Sequence, residues 1–126
     1  MLITRILLAV AASLCLAVPV LESQSDFAGK WVGEREGEPG VDPVVLQVTT
    51  DGTAVTGTVT IGQNPTQQMA NASVKANKLT FQTTVVLNGK EVSMSWDGEL
   101  LKNGQLRLIR TLGSRAMPAL ALQRAK

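Results

Sequence analysis

The sequence predicts an all-β domain of about eight antiparallel strands in an up-and-down meander, closed into a small barrel or, alternatively, left open as a two-layer β-sandwich. Three observations lead there. Beyond Phe27 the apolar residues alternate with polar ones at a period of two, as strands with one buried face require. The dipeptides Asp51-Gly52, Asn88-Gly89 and Asn103-Gly104 fall between alternating stretches and supply the positive φ of tight hairpins. No stretch after the first two dozen residues carries a helical period.

The first strand is expected over about 29–36, from Gly29-Lys30-Trp31 to a turn rich in Gly and Pro that ends at Pro43. The second, about 44–50, points Val44, Leu46 and Val48 one way, and the third, about 53–62, does the same with Val55, Val59 and Ile61. Residues 63–68 read as a loop around Pro65, followed by a weaker strand at about 69–76. A fifth, about 78–87, alternates Leu79, Phe81, Thr83 and Val85 with Thr80, Gln82 and Thr84. The sixth, about 90–100, carries Val92, Met94 and Trp96 on one face, the seventh, about 105–112, offers Leu106 and Leu108, and the eighth, about 119–124, offers Leu120 and Leu122. Gly57 and Gly98 lie inside strands, where a missing side chain marks a bulge or a sharp bend at a barrel corner. Consecutive hairpins favour a meander, and closure removes the exposed edges that invite aggregation.

Before that domain lies a segment of another kind. Arg5 precedes a predominantly apolar run from Ile6 to Val18, which Pro19 ends. The run is shorter than the roughly 20 residues that span a bilayer, and residues 1–23 are expected to be a signal peptide cut after 17, 23 or 25. The mature product is then a single domain over 24–126, exported to a periplasm or the outside and soluble after cleavage. Lipidation of Cys15 is rejected, because Leu14 precedes it and the apolar run continues beyond it.

Every one of these cleavage sites removes Cys15, and the chain has no His and no Tyr. Disulfides, Cys or His zinc sites, Ser-His-Asp and Cys-His nucleophilic sites and imidazole acid-base chemistry are all excluded. No calcium-loop pattern is present, so neither a cofactor nor a metal is expected. Charge is nearly balanced but unevenly spread. From Lys102 to Lys126 there are six cations (Lys102, Arg107, Arg110, Arg115, Arg124, Lys126) and no acid, whereas Glu34, Glu36, Glu38 and Asp42 cluster early. The late cations read as outer-face positions of two strands, facing the acidic early strand, or else as a patch for an anionic partner. Nucleic acid is not an expected partner for a chain so poor in aromatics.

The opening Phe27-Ala28-Gly29-Lys30-Trp31 resembles the G-x-W signature at the first strand of lipocalins and avidin-type proteins, the calycin group. The resemblance implies that Trp31 closes one barrel end beneath an Arg from the last strand, a part that Arg124 of Leu122-Gln123-Arg124 would take, with Gly29 as the third closure residue. The chain is also similar to small exported β-domains of unknown function that run from a Gly-x-Trp start through a Gly-Thr-x-Thr strand, here Gly57-Thr58-Val59-Thr60, to a closing Arg. Avidin-type proteins bind biotin with an Asn two residues after the Trp and a Tyr after the Gly-Thr; Gly33 and Val59 stand there instead, so biotin binding is not carried over.

Three functions remain. The first is a non-catalytic binding or interaction module that meets an extracytoplasmic protein. The second is a calycin-type barrel carrying a small apolar ligand, with Trp31, Phe81, Met94 and Trp96 as the lining, although both Trp residues also read simply as core. The third is a hydrolase built on carboxylates two apart on a strand, Asp97 with Glu99 or Glu34 with Glu36. No nucleophile elbow accompanies any Ser, so no catalytic residue is assigned.

Overall fold

A computed structural model describes residues 26–125; the expected signal peptide and its cleavage sites lie outside the described residues. Ten antiparallel strands follow one another: β1 (Gly29–Arg35), β2 (Val44–Asp51), β3 (Ala54–Ile61), β4 (Gln67–Gln68), β5 (Ala70–Lys75), β6 (Lys78–Leu87), β7 (Lys90–Leu100), β8 (Leu106–Leu112), β9 (Arg115–Ala116) and β10 (Leu120–Arg124). The eight expected strands are all present. The two additions, β4 and β9, are two-residue pairings, too short to leave an alternation in the sequence.

Tight turns set the meander. Asp51 pairs with Ala54 around Gly52 and Thr53, and Leu87 pairs with Lys90 around Asn88 and Gly89, whose φ angles are 51° and 78°. Neighbouring strands run β4-β3-β2-β1-β10-β8-β7-β6-β5, with β9 folded back on β8. Pairing of β1 with β10, Trp31 opposite Arg124 and Arg35 opposite Leu120, joins the two ends of the chain and nearly closes a barrel. One seam stays unsealed, between the β3 and β6 sides. The chain itself crosses that seam, since β4 pairs with β3, β5 pairs with β6, and only Met69 separates them. The Met69 amide donates to the Gly57 carbonyl at 2.9 Å and pins the crossing.

Every second residue faces inward. Trp31, Leu46, Val59, Leu79, Leu106, Leu108, Leu120 and Leu122 are fully buried, with Phe81 and Trp96 nearly so. Burial of each such side chain contributes about 1.5–3 kcal/mol, which suits a domain of about 100 residues held by its core alone. The outward positions are largely Thr, Gln, Ser and charged residues, as Gln47, Thr58, Gln82, Ser95 and Glu99 illustrate.

Barrel curvature depends on missing side chains. A Cβ at Gly33 would sit 2.0 Å from the Ala121 carbonyl oxygen, and one at Gly57 would sit 2.1 Å from that of Gln47. The β2–β3 register runs unbroken through Gly57, so this position is a bend and not a bulge. Gly98 likewise lies in continuous register, between Leu79 and Leu108.

Candidate functional site

The two ends of the barrel are built differently, and the difference locates the site. At one end Trp31, fully buried, donates its Nε1 hydrogen to the Phe27 carbonyl at 3.0 Å. Arg124 lies over the indole with its guanidinium carbon 4.5 Å from the ring centroid. Its Nη1 donates to the Ala28 carbonyl at 2.8 Å and its Nη2 to the Asp26 carbonyl. Gly29, at φ 122°, begins β1 directly below; a Cβ there would lie 3.3 Å from Arg124 Nη1. This end is shut.

The middle is filled. Phe81 and Trp96, cross-strand partners on β6 and β7, stack with centroids 5.4 Å apart and planes 10° from parallel. Trp96 Nε1 donates at 2.9 Å to the hydroxyl of Thr83, a buried polar residue that gives the indole its acceptor. Of the four residues expected to line a ligand cavity, Trp31, Phe81 and Trp96 therefore sit in the closed end and the packed middle.

Met94, the fourth, borders open space. Beyond the Phe81–Trp96 stack lies a cavity of about 410 Å³. Its apolar wall comes from Ile61, Val85, Met94, Leu112 and Met117. The 64–67 loop and the β6–β7 hairpin, with Val86 and Leu87, form its rim. Met117 is held over it by its amide, which donates to the Arg110 carbonyl at 2.9 Å.

Arg110 is the unexpected member. It continues the inward series Leu106, Leu108 on β8, so its side chain points into the barrel and is only 11% exposed. Asp42 compensates the charge. The turn at 36–43 folds back through a 2.8 Å bond from the Arg35 amide to the Val41 carbonyl, which sets Asp42 beside the open end. Asp42 Oδ2 then accepts from Arg110 Nη2 at 2.9 Å and from Arg35 Nη2 at 2.8 Å, while Arg35 also reaches Glu38 at 3.2 Å. The Arg35 hydrogen bond, aided by the positive charge of Arg110, holds the Asp42 carboxyl below its ordinary range against the opposing effect of burial.

Two polar atoms remain without partners. Arg110 Nε and Gln67 Oε1 are buried and make no hydrogen bond, and both residues line this cavity. Arg110 was legible in the sequence as a charge in an inward register. Asp42 and Gln67 lie in irregular segments whose partners are distant in the chain, so alternation carried no sign of them.

The candidate hydrolytic acids face outward. Asp97 and Glu99 are exposed on β7, opposite Ile109 and Arg107 on the next strand. Glu36 pairs with Arg107 at 3.0 Å. Glu34, Glu36 and Glu38 border a broad groove of about 640 Å³ on the outer face of β1 and β10. Among the described residues no three acids gather as a metal site would need, and no helix is long and apolar enough to cross a membrane. Two of the late cations, Arg107 and Arg110, do meet acids of the early segment, but Arg110 does so from inside the barrel and not from its outer face. In comparisons with known proteins, no family model matches the chain and no curated protein is detectably similar to it.

Proposed function

We propose that this protein is a non-catalytic binder of a small, largely apolar ligand, taken up at the open end of the barrel. The observation that carries this reading is the cavity of about 410 Å³ walled by Ile61, Val85, Met94, Leu112 and Met117. Its size falls in the range of small-molecule sites, and its composition, apolar walls with few polar groups, is the one such sites use. The asymmetry of the barrel supports the same reading. A domain closed at one end by Trp31 and Arg124 and hollow at the other has the general plan of the calycin carriers that its Gly29-Lys30-Trp31 start resembles. Export as a signal-peptide-bearing chain belongs to this proposal.

An interaction module is the second reading, favoured by Val86 and Leu87, which are 67% and 44% exposed at the β6–β7 hairpin. One experiment separates the two. The purified protein is examined by native mass spectrometry, and titrated with a fluorescent naphthylamine that brightens in apolar cavities. Bound small molecules, or saturable one-to-one dye binding weakened by Leu112→Trp, support the carrier. A bare mass with no saturable dye binding gives the interaction module.

A further inference from the structure

Resting on the reading of the open end as a ligand site, we propose that its ligand is a neutral amphipath whose head group both accepts and donates a hydrogen bond, of the carboxamide kind, with an apolar tail of modest length. The argument starts from the two buried atoms without partners. Arg110 Nε–H is a donor and Gln67 Oε1 an acceptor, and both belong to residues that line one otherwise apolar cavity. Leaving such groups unmet in the folded protein costs about 1–3 kcal/mol each. In the empty cavity water can meet both, since it donates and accepts. A ligand that displaces such water without reproducing both bonds loses affinity. Its head group must therefore do what water does.

Charge narrows the class further. The Arg110 guanidinium is already matched by Asp42 Oδ2 at 2.9 Å, and that carboxylate is shared with Arg35 at 2.8 Å. A ligand carboxylate would meet Asp42 nearby as a like charge and would present only acceptors to Gln67 Oε1, itself an acceptor. A ligand ammonium would meet Arg110. A carboxamide satisfies both atoms, its carbonyl accepting from Arg110 Nε and its N–H donating to Gln67 Oε1. The tail then lies against Val85, Met94, Leu112 and Met117. At interior packing density the cavity holds about a dozen non-hydrogen atoms, so a chain of about eight carbons fits with its head group.

The test compares three probes of equal size by isothermal titration calorimetry near neutral pH: octanamide, octanoate and methyl heptanoate. They share the apolar tail and differ in charge and in the donor. Octanamide is expected to bind about tenfold more tightly than either of the others, the factor that one unmet buried group commands. In Gln67→Met, which keeps the side-chain length and removes the acceptor, octanamide is expected to fall to the affinity of methyl heptanoate, and methyl heptanoate to stay as it was. Equal binding of all three, tighter binding of octanoate, or an unchanged octanamide advantage in Gln67→Met overturns the head-group assignment and leaves the ligand site standing. Absence of binding by all three overturns the ligand site and this inference with it. The ranking on the unsubstituted protein decides the matter should the variant fail to fold.

Discussion

The guanidinium carbon of Arg124 lies 4.5 Å from the centroid of the Trp31 ring, joining the last strand to the first across the shut end of the barrel. The contact serves three purposes at once. It gives a cation–π attraction, covers the indole, and supplies donors to the carbonyls of Ala28 and Asp26, which precede β1. Arg124→Gln keeps an amide within reach but removes the charge and the planar fork. A loss of about 1–2 kcal/mol is expected, combining a cation–π term with weakened hydrogen bonds. Urea unfolding monitored by tryptophan emission measures it. A variant as stable as the parent, with unshifted emission, would show that closure of this end does not depend on Arg124.

The Trp96–Thr83 bond makes a second prediction. Thr83→Val preserves shape and removes the acceptor of a buried indole N–H. About 1–3 kcal/mol of stability should be lost, the penalty of an orphaned buried donor. Thr83→Ser, which retains the hydroxyl and gives up a methyl, should cost less than Thr83→Val. The reverse order in thermal denaturation would mean that the methyl, and not the bond, matters at this position.

Much of the fold was legible because it rests on local rules. Alternation placed Val44, Leu46 and Val48, and Leu79 and Phe81, on buried faces, and the Asn88-Gly89 and Asn103-Gly104 turns fixed where the chain reverses. Gly57 was recognisable as a bend. Gly33 was not, since its need for glycine comes from the Ala121 carbonyl, far along the chain. The candidate site was less legible for the same reason. Large aromatic residues drew attention as lining, yet Trp31, Phe81 and Trp96 are where a small barrel buries its largest volumes. The hollow end is walled instead by Ile61, Val85, Met94, Leu112 and Met117, ordinary apolar residues marked only by their position around the mouth.

Asp42 links stability to pH. Its folded-state carboxyl titrates below the ordinary carboxylate range because Arg35, and then Arg110, favour the anion. A depressed folded value means that the unfolded chain takes up the proton first as pH falls. The contribution of Asp42 is therefore complete above the unfolded value of about 4 and is lost as pH drops through the lower folded value. Asp42→Asn should remove this part of the acid limb from a stability–pH curve. At neutral pH it should cost about 2 kcal/mol, less than for a fully buried pair because the Asp42 side chain is 26% exposed. Parallel curves for parent and variant between about pH 2 and 5 would contradict the assignment.

Gly33→Ala tests the corner where β1 meets β10. The added Cβ would stand 2.0 Å from a backbone oxygen, and backbone cannot swing aside as a flexible side chain can. The ladder must open there, at an expected cost above about 3 kcal/mol, in the range of the most damaging single substitutions. Gly98→Ala is the contrast. Its Cβ would meet side-chain carbons of Leu106 and Leu108 at 3.3 Å, which can shift by rotation, so about 1 kcal/mol is expected. Chemical denaturation of the pair reads the difference directly, and similar losses in both would place the strain elsewhere.

Leu112→Trp puts the cavity itself to the test. In a filled core an added indole forces off-rotamer packing and costs about 1–3 kcal/mol. At Leu112 the neighbouring space is about 410 Å³, and the residue is only partly buried, so the larger ring has room to turn inward against Met94 and Val85. Stability should then change by less than about 1 kcal/mol, or rise as apolar area is covered. Ligand capacity should move the opposite way, since the indole takes the volume that a tail would occupy. The variant should bind apolar dye and octanamide at least about tenfold more weakly while unfolding at the same denaturant concentration as the parent. This separation of binding from stability is the signature of a hollow end. A destabilised variant that still binds would mean that residue 112 packs against a filled interior and that the ligand, if there is one, sits elsewhere.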